Sequence, residues 1–532
     1  MKKFKLAITL ALCFGLCICG CKKTDTTGES DSNTQTEETT ETTEEETSEG
    51  FIAIQPIITK NTCSKTKDDG VEFLVESSYD TISLDEESAQ YYSALDSALN
   101  SLSDTMLASQ KDNFESNVEY ATTDYEEGYL DDGMYYNDDS SLSVERADES
   151  VFSISQSTDT FTGGAHGSYG TTGYTFDTQT GKQLELSDIF TSVDDIIPVL
   201  KNSLETNYPD VEFFDLDQTL QSYIDDPDTY QFSWYMNAKG VMFIFNPYEL
   251  ASYAEGSQNV LISFAEHEEL FTGDYTAATG AYVLNLYSGN DYYIDLNGDN
   301  TQEHLSITEN YEDSMCSSAT IVYDDASYDL EAYFYTTDIK AIHTKDDKIY
   351  LFIFLHGDND FTSLDVVSLN DGKIQKVGGL NVAEPSLYVE SEDEEDGIWQ
   401  YYPLVSPTGF ILSSHLDAIS TYDGIKTYTL DSDGMPVSDS DYYFIRNGRT
   451  LTVKKDFQGF EVDINTNELK KESTISAGEK LTFYRTNGTD TVIFEKEDGT
   501  FVGVQFEIDD DLGRTINGIS EEDLLDGIMY AG

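Results

Sequence analysis

The sequence predicts an α+β N-terminal domain, an antiparallel sheet with helices, then a mostly β domain and a small C-terminal β module. Apolar residues recur at helical spacing between Ser88 and Asn117, which is typical of one amphipathic helix. Short alternating segments such as Val151–Ser155 indicate strands beside that helix. From about 277 to 475, short strands alternate with Asp, Asn and Gly turns, which favours a propeller-like or sandwich arrangement.

The first twenty residues have the features of a bacterial lipoprotein signal peptide. Three lysines precede the apolar run Leu6–Cys19, which is too short for an ordinary membrane span. The run ends in Ile18-Cys19-Gly20-Cys21, where a small residue precedes a cysteine whose thiol can be acylated. We therefore expect residues 1–20 to be removed and Cys21 to anchor the protein on the extracytoplasmic face of the membrane. An ordinary secretory signal with chance cysteines is the alternative.

Composition divides the rest of the chain into four parts. Residues 21–50 are almost entirely Thr, Glu, Ser and Asp, so they form a disordered acidic tether. Residues 51–272 form the α+β domain, 275–474 the β-repeat domain and 475–532 the small β module. The predicted α+β domain contains a long acidic, Tyr-rich loop at 120–141, read either as functional or as a disordered surface loop. It also contains a hairpin between Gln231–Met236 and Val241–Phe245.

A glycine-rich segment stands at the centre of this domain. Phe161-Thr162-Gly163-Gly164-Ala165-His166-Gly167-Ser168-Tyr169 lies between strand-like segments and predicts a turn. His166 could act as a general base. The sequence contains no Gly-x-Ser-x-Gly and no His-Glu-x-x-His motif that would supply a catalytic partner. We therefore predict a structural or recognition role for Gly163, Gly164, Ala165, His166 and Gly167, and no catalytic residue.

The run from Phe161 to Phe190, with its Gly-Gly-Ala-His turn and a later Thr-Gly-Lys, resembles a known extracellular domain. That domain belongs to RsiV, a lysozyme-sensing anti-sigma factor, and accompanies PdaC-type peptidoglycan deacetylases. Val241–Gly256 is similar to the closing segment of the same family, and the resemblance covers roughly residues 55 to 270. It implies a lysozyme-type muramidase or a cell-wall glycan as ligand. The sigma-binding segment, the membrane span and the deacetylase domain have no counterpart here, so signalling and deacetylation are not implied.

A second motif, Asp295-Leu296-Asn297-Gly298-Asp299-Asn300-Thr301-Gln302-Glu303, is similar to the calcium loops of FG-GAP repeats. Alternate positions of a tight loop can direct hard oxygen ligands at one Ca²⁺ ion. The expected ligands are Asp295, Asn297, Asp299, Thr301 and Glu303. The twelfth position is Ser306 rather than an acid, which argues against an EF-hand. A polar hairpin turn without metal is the alternative.

Charge and cysteine content limit the classes of partner. The formal net charge is −73, with 102 acidic against 29 basic residues, which argues against nucleic acid and favours basic proteins. Cys63 and Cys316 are the only cysteines after Cys21. We therefore predict a non-catalytic surface lipoprotein that binds an extracellular muramidase or glycan. A cell-wall hydrolase or deacetylase with an unrecognised site and a calcium-stabilised structural or adhesion protein remain open.

Overall fold

The computed structural model describes residues 54–67, 70, 72–130, 133–276, 281–289, 291–297, 301–312, 315–357, 362–382, 385–389, 398–445, 448–509 and 513–530. The predicted signal peptide, Cys21 and the tether lie outside these residues, as does Asp299 of the calcium motif. None of the described helices combines the length and the apolar character that a membrane crossing requires.

The first part of the described chain contains eight strands and five α-helices, with short 3₁₀ turns at Tyr253–Glu255 and Glu268–Leu270. In chain order these are β1 (Pro56–Thr66), β2 (Phe73–Leu84), α1 (Glu86–Tyr91), α2 (Ser93–Glu127), β3 (Tyr136–Ala147), β4 (Val151–Phe161), β5 (Ser168–Asp177), α3 (Leu186–Ile189), α4 (Ile196–Asn207), α5 (Leu216–Asp225), β6 (Ser233–Met236), β7 (Gly240–Phe245) and β8 (Gln258–Ser263). The predicted α+β character of this part is confirmed.

Eleven further strands follow up to residue 401. They are β9 (Tyr282–Leu286), β10 (Asp291–Ile294), β11 (Glu303–Glu312), β12 (Met315–Tyr323), β13 (Ala326–Phe334), β14 (Thr336–His343), β15 (Ile349–His356), β16 (Thr362–Ser368), β17 (Gln375–Leu380), β18 (Ser386–Val389) and β19 (Ile398–Tyr401), with a 3₁₀ turn at Asn370–Gly372.

The last part is also mostly β. It contains β20 (Phe410–Asp417), β21 (Thr421–Leu430), β22 (Pro436–Val437), β23 (Tyr443–Phe444), β24 (Thr450–Val453), β25 (Phe457–Asp463), β26 (Glu468–Ile475), β27 (Lys480–Thr486), β28 (Thr491–Lys496), β29 (Phe501–Gln505), β30 (Glu507–Asp509), β31 (Gly513–Ile516), β32 (Ile519–Ser520), α6 (Glu521–Leu524) and β33 (Leu525–Asp526).

The long helix α2 connects two neighbouring strands that run parallel. Strands β2 and β3 pair in parallel, and a parallel pair needs a crossover rather than a hairpin. Helix α2 supplies that crossover and continues to Glu127, where Gly128 ends it in the left-handed conformation at φ 77°. The prediction of a long loop at 120–141 is therefore wrong: its first part is helical, because no helix breaker occurs before Gly128.

Two large apolar cores support the first part, beside a smaller one around Val75 and Ala121. One face of strands β3–β5, with Leu142, Val144 and Ile154, packs on Leu95 and Leu99 of α2. The second core joins α4 and α5 to the small β6–β7–β8 sheet. Within that sheet, the predicted hairpin is confirmed as the antiparallel pair β6–β7.

The later strands form sheets that face each other rather than a series of blades. The four-stranded sheet β10–β13 and the five-stranded sheet of β9 and β14–β17 share one core, in which Leu305 and Ile321 of the first meet Leu351 and Ile353 of the second. Among the described residues this is a sandwich. The propeller alternative has no radially repeated blades in the described strands.

The predicted domain boundaries do not coincide with the sheets. Strands β18 and β19 extend the first sheet, giving the order β18-β19-β1-β2-β3-β4-β5, with Ile58 opposite Tyr401. The boundary at 475 also falls inside one sheet, since β25 and β26 share it with β27, β28 and β29. The tail is therefore not a separate module. The prediction of one was wrong because pairing between distant strands leaves no local signal in the sequence. Within the described chain, Cys63 and Cys316 form no disulfide.

Candidate binding site

The predicted glycine-rich turn connects β4 to β5. Gly163 and Gly164 have φ of 84° and 93°, values that side-chain-bearing residues rarely adopt. A Cβ atom on Gly167 would lie 2.6 Å from the carbonyl oxygen of Thr160. The three glycines of the motif are therefore explained by the backbone conformation of the turn. Ala165 and His166 carry exposed side chains there.

His166 contacts a ring and a backbone carbonyl. Its imidazole stacks on Tyr253 with ring centroids 4.1 Å apart and an interplanar angle of 23°. Its Nδ1 lies 2.7 Å from the carbonyl oxygen of Gly167, which fixes Nδ1 as the protonated nitrogen in the neutral ring. These contacts orient the ring on the surface of the protein.

Three further rings contact Tyr253 and form with it what we call the aromatic cluster: His166, Tyr169, Tyr248 and Tyr253. Tyr253 lies 5.7 Å from Tyr169 and 5.6 Å from Tyr248 between ring centroids. Tyr248 is 60% exposed and has a φ of 73°, which is rare for a large side chain. Strained, exposed residues of this kind concentrate at ligand-contacting sites, so Tyr248 marks the cluster as a candidate binding surface.

The aromatic cluster arises where the two sequence motifs of the family resemblance meet. Asn246 of the second motif accepts from the backbone N–H of Thr171 at 2.7 Å and donates to its carbonyl at 3.1 Å. Gly173 allows closer approach, because a Cβ there would lie 1.8 Å from the carbonyl oxygen of Trp234. Sequence reasoning identified both motifs but missed Tyr169, Tyr248 and Tyr253 as one surface. The sequence signal that could have identified this surface is the pair Tyr248 and Tyr253, five residues apart in the second motif.

A polar groove, which we call the sheet groove, lies beside the cluster on the face of β2–β5 that points away from α2. Ser78 on β2, Asp139 on β3, Asp159 on β4 and Tyr169 on β5 stand opposite one another in register. Residues directly opposite across paired strands share a face, so these four side chains form one row. At about 4.8 Å per strand, the row is about 14 Å long.

Strands from the later part of the chain form the walls of this groove. Its volume is about 850 Å³. The walls are Asn285–Ser288 of β9 and its following turn, Thr337–Lys340 of β14, and Tyr401–Pro403 at and beyond the end of β19. Asn285 contacts the floor directly, donating to the carbonyl of Val144 at 2.9 Å. The groove is thus built from parts of the chain that the predicted boundaries had separated.

The carboxylates of the groove are held by different partners. Burial raises the pKa of Asp80 to about 6, opposed by the backbone N–H of Leu142 and by Lys60. The hydrogen bond with His356, whose Nε2 lies 2.9 Å from Asp338 Oδ2, lowers the pKa of Asp338. Asp139 accepts from the hydroxyl of Ser78 at 2.6 Å. Sequence reasoning missed all three, since nothing local distinguishes them from other surface acids.

The predicted calcium loop is described in part. Glu303 accepts from the backbone N–H of Leu296 at 2.7 Å and from the Asn297 amide at 2.5 Å, so two expected ligands are bonded to each other. Lys239 of the β6–β7 turn also lies near this loop: burial lowers its pKa, and Asp295 and Glu303 oppose that shift. Within the described ranges, no group of three or more His, Cys, Asp or Glu side chains could hold a metal ion. Asp299 lies outside the described residues, so calcium binding by this loop stays a prediction.

Comparison with known proteins places a family within the first part of the chain. Residues 187–265 match the model of the family described as Protein of unknown function (DUF3298). Solved DUF3298 structures from Bacteroides fragilis NCTC 9343 and Pseudomonas aeruginosa PAO1 are each 15% identical to the chain, with TM-scores of 0.31 and 0.27. Each alignment covers 42% of this chain and 95% of the other protein. No curated protein matches the chain.

The matched residues contain α4, α5, the β6–β8 sheet and the second motif of the aromatic cluster. Residues 187–265 of this chain are therefore similar to the DUF3298 family, for which no function is known.

Proposed function

We propose that the chain is a lipid-anchored extracellular binding protein that captures a basic protein of the lysozyme-type muramidase class through the aromatic cluster. The observation that carries this proposal is the meeting of the two motifs, which places His166 against Tyr253 and leaves Tyr248 exposed. Tyrosine rings on a rigid support are frequent centres of binding energy in protein interfaces. The resemblance of residues 55–270 to a lysozyme-sensing domain supplies the class of partner.

Charge supports a basic partner. The chain carries a formal charge of −73, and an acidic surface accelerates the encounter with a cationic protein. Asp159 lies near the cluster, where it contributes to raising the pKa of Tyr253, after partial desolvation and Tyr169. The long-range field would steer the partner, and the rings would provide the contacts that persist in salt.

The experiment measures binding of the full chain to a basic lysozyme across a salt series, with lysine-rich cytochrome c as the charge control. Tyr248→Ala should weaken lysozyme binding at least about tenfold, the cost of losing one interface anchor. Tyr91→Ala is the matched control, because Tyr91 is 56% exposed at the end of α1, whereas the glycine-rich turn lies beside Asp124 near the opposite end of α2. Binding that fades equally for lysozyme and cytochrome c at about 0.15 M salt would overturn the proposal, and so would equal affinities of the two variants.

The anchor is a separate part of the proposal. Cys21 follows the apolar segment 6–19 at the spacing of a lipobox, and the Thr- and Glu-rich residues 22–50 would hold the binding surface off the membrane. Cys21→Ser should release the protein from the cell into the medium, measured by fractionation and immunoblotting. Retention of the Cys21→Ser variant in the membrane fraction would contradict lipid anchoring.

We also propose that the Asp295–Glu303 loop binds Ca²⁺. A bound Ca²⁺ would share Glu303 with the hydrogen bond from the Asn297 amide or replace that bond. We expect millimolar Ca²⁺ to raise the thermal unfolding temperature of the chain, and Asp295→Ala to abolish that rise. An identical response of the wild type and the variant to Ca²⁺ and to EDTA would refute the site.

A further inference from the structure

We infer that the sheet groove is a binding site for a neutral oligosaccharide, independent of the capture of a protein by the aromatic cluster. The groove is open along the row from Ser78 to Tyr169 and has a volume of about 850 Å³. It can therefore hold an extended ligand lying across the strands rather than a compact molecule.

The lining has the hydrogen-bonding character that a polyhydroxylated ligand requires. Serine, threonine and tyrosine supply nearly half of the lining residues, including the second row Ser141, Ser157 and Thr171 on β3, β4 and β5. A hydroxyl group both donates and accepts, so such a surface matches sugar hydroxyls in either orientation. Sites for apolar small molecules are instead lined mostly by hydrophobic side chains with few polar groups.

Aromatic rings at the ends of the groove are a second feature that suits a sugar ligand. Tyr169 stands at the β5 end, Tyr287 extends from the opposing wall and Tyr401 lies at the β1 end. Tyr169 and Tyr287 are 39% and 48% exposed, so part of each side chain reaches the solvent. A tyrosine ring packs apolar surface while its hydroxyl stays hydrated, which suits the apolar faces and hydroxyl edges of a sugar ring.

The charges in the groove disfavour an anionic ligand, and its two lysines and the partners of its carboxylates weaken its attraction for a cationic one. Asp80, Asp139, Asp159 and Asp338 would repel an anionic chain. A basic peptide would meet Lys60 and Lys340 in the same lining. Two of the carboxylates are also already engaged, Asp139 by Ser78 and Asp338 by His356.

The test uses isothermal titration calorimetry of the full chain with chitotetraose, cellotetraose and tetralysine. Ser141→Trp fills the floor of the groove at an exposed strand position, and Ser116→Trp makes the same change on the exposed face of α2. At least one tetrasaccharide should bind, at least about tenfold more weakly to Ser141→Trp and unchanged to Ser116→Trp. Ser157→Trp, on the neighbouring strand, repeats the test should Ser141→Trp not fold, as judged by circular dichroism.

Three results would overturn the inference. The first is no binding of either tetrasaccharide to the wild type, and the second is equal affinity of the groove and control variants. The third is loss of tetralysine binding alone in Ser141→Trp, which would make the groove a site for a cationic segment. Lysozyme capture should survive Ser141→Trp, and tetrasaccharide binding should survive Tyr248→Ala. The two pairs of variants therefore separate failure of the groove from failure of the proposed protein capture.

Discussion

Gly173→Ala is expected to separate the two motifs that build the aromatic cluster. A Cβ atom at this position would lie 1.8 Å from the carbonyl oxygen of Trp234, 2.3 Å from its carbon and 2.8 Å from the backbone nitrogen of Tyr235. Non-bonded heavy atoms prefer about 3.5–4.0 Å, so β6 and β5 would have to move apart by more than about 1 Å. Backbone cannot swing aside as a side chain can, because both strands are fixed within their own sheets.

The magnitude follows from the contacts beside the glycine. Overpacking costs about 1–3 kcal/mol where side chains can adjust. Here the separation would also stretch the hydrogen bond from Ser233 Oγ to the Thr171 carbonyl, 2.7 Å, and that from the Met236 N–H to Ser153 Oγ, 2.9 Å. Each is worth about 1 kcal/mol. We therefore expect Gly173→Ala to lower the free energy of unfolding by about 3 kcal/mol or more.

The assay is urea unfolding followed by tryptophan fluorescence. The chain has two tryptophans, so a Trp399→Phe background leaves Trp234 beside the altered contact as the reporter. Gly409→Ala is the control, since a Cβ there meets no atom within 4 Å and should change stability by less than about 0.5 kcal/mol. Equal midpoints for the two alanine variants would show that β5 and β6 do not approach as closely as described. Gly173→Ala should also weaken lysozyme binding.

Three further outcomes are expected. The raised pKa of Asp80 means that the folded state holds its proton more tightly than the unfolded one, so this stabilisation is present below about pH 4 and lost as the pH rises to about 6. Asp80→Asn should therefore match the wild type near pH 3.5 and exceed its stability by up to about 3 kcal/mol at pH 7, measured by urea unfolding at both values. Arg146→Met should cost about 3 kcal/mol, because Asp148 loses a buried ion pair, whereas Lys182→Met at an exposed pair should cost under about 1 kcal/mol in the same assay. Thermal unfolding should show Tyr248→Asn to be more stable than Tyr248→Ala by about 0.5–1 kcal/mol, because Asn tolerates positive φ. Both variants should lose lysozyme affinity. Equal stabilities would refute backbone strain at position 248.

Local features of the fold could be read from the sequence, and distant pairings could not. The β6–β7 hairpin and the glycine turn before β5 have their signals within a few residues. The parallel pairing of β2 with β3 depends on α2, whose last turns contain several β-branched and aromatic residues and were predicted as loop. The pairing of β1 with β19 joins residues more than three hundred positions apart, which no composition change marks.

The candidate sites divide in the same way. His166 and its glycines were predicted because they form one contiguous motif, and the structure adds the rings of Tyr169, Tyr248 and Tyr253 around them. The row across the sheet groove was not predicted, because Asp139 and Asp159 become neighbours only through the register of β3 and β4. Which face of a strand becomes a site depends on what covers the opposite face. Here α2 covers one face, so the polar side chains of the other face form the groove.

The two main parts of the described chain cannot be studied as separable domains. Glu145 of β3 is buried, which raises its pKa, and it accepts from Ser155 Oγ at 2.6 Å and from the amide of Asn285 on β9. A second contact joins the two parts: the ammonium of Lys239, in the β6–β7 turn, lies 5.0 Å from the ring centroid of Tyr282 on β9. Removing residues 275–532 would leave Glu145 without Asn285, β1 without β19 and the sheet groove without its walls. Loss of binding by such a truncation would therefore reflect damage to the first part as much as removal of a binding surface, and point variants in the full chain are the informative test of both sites.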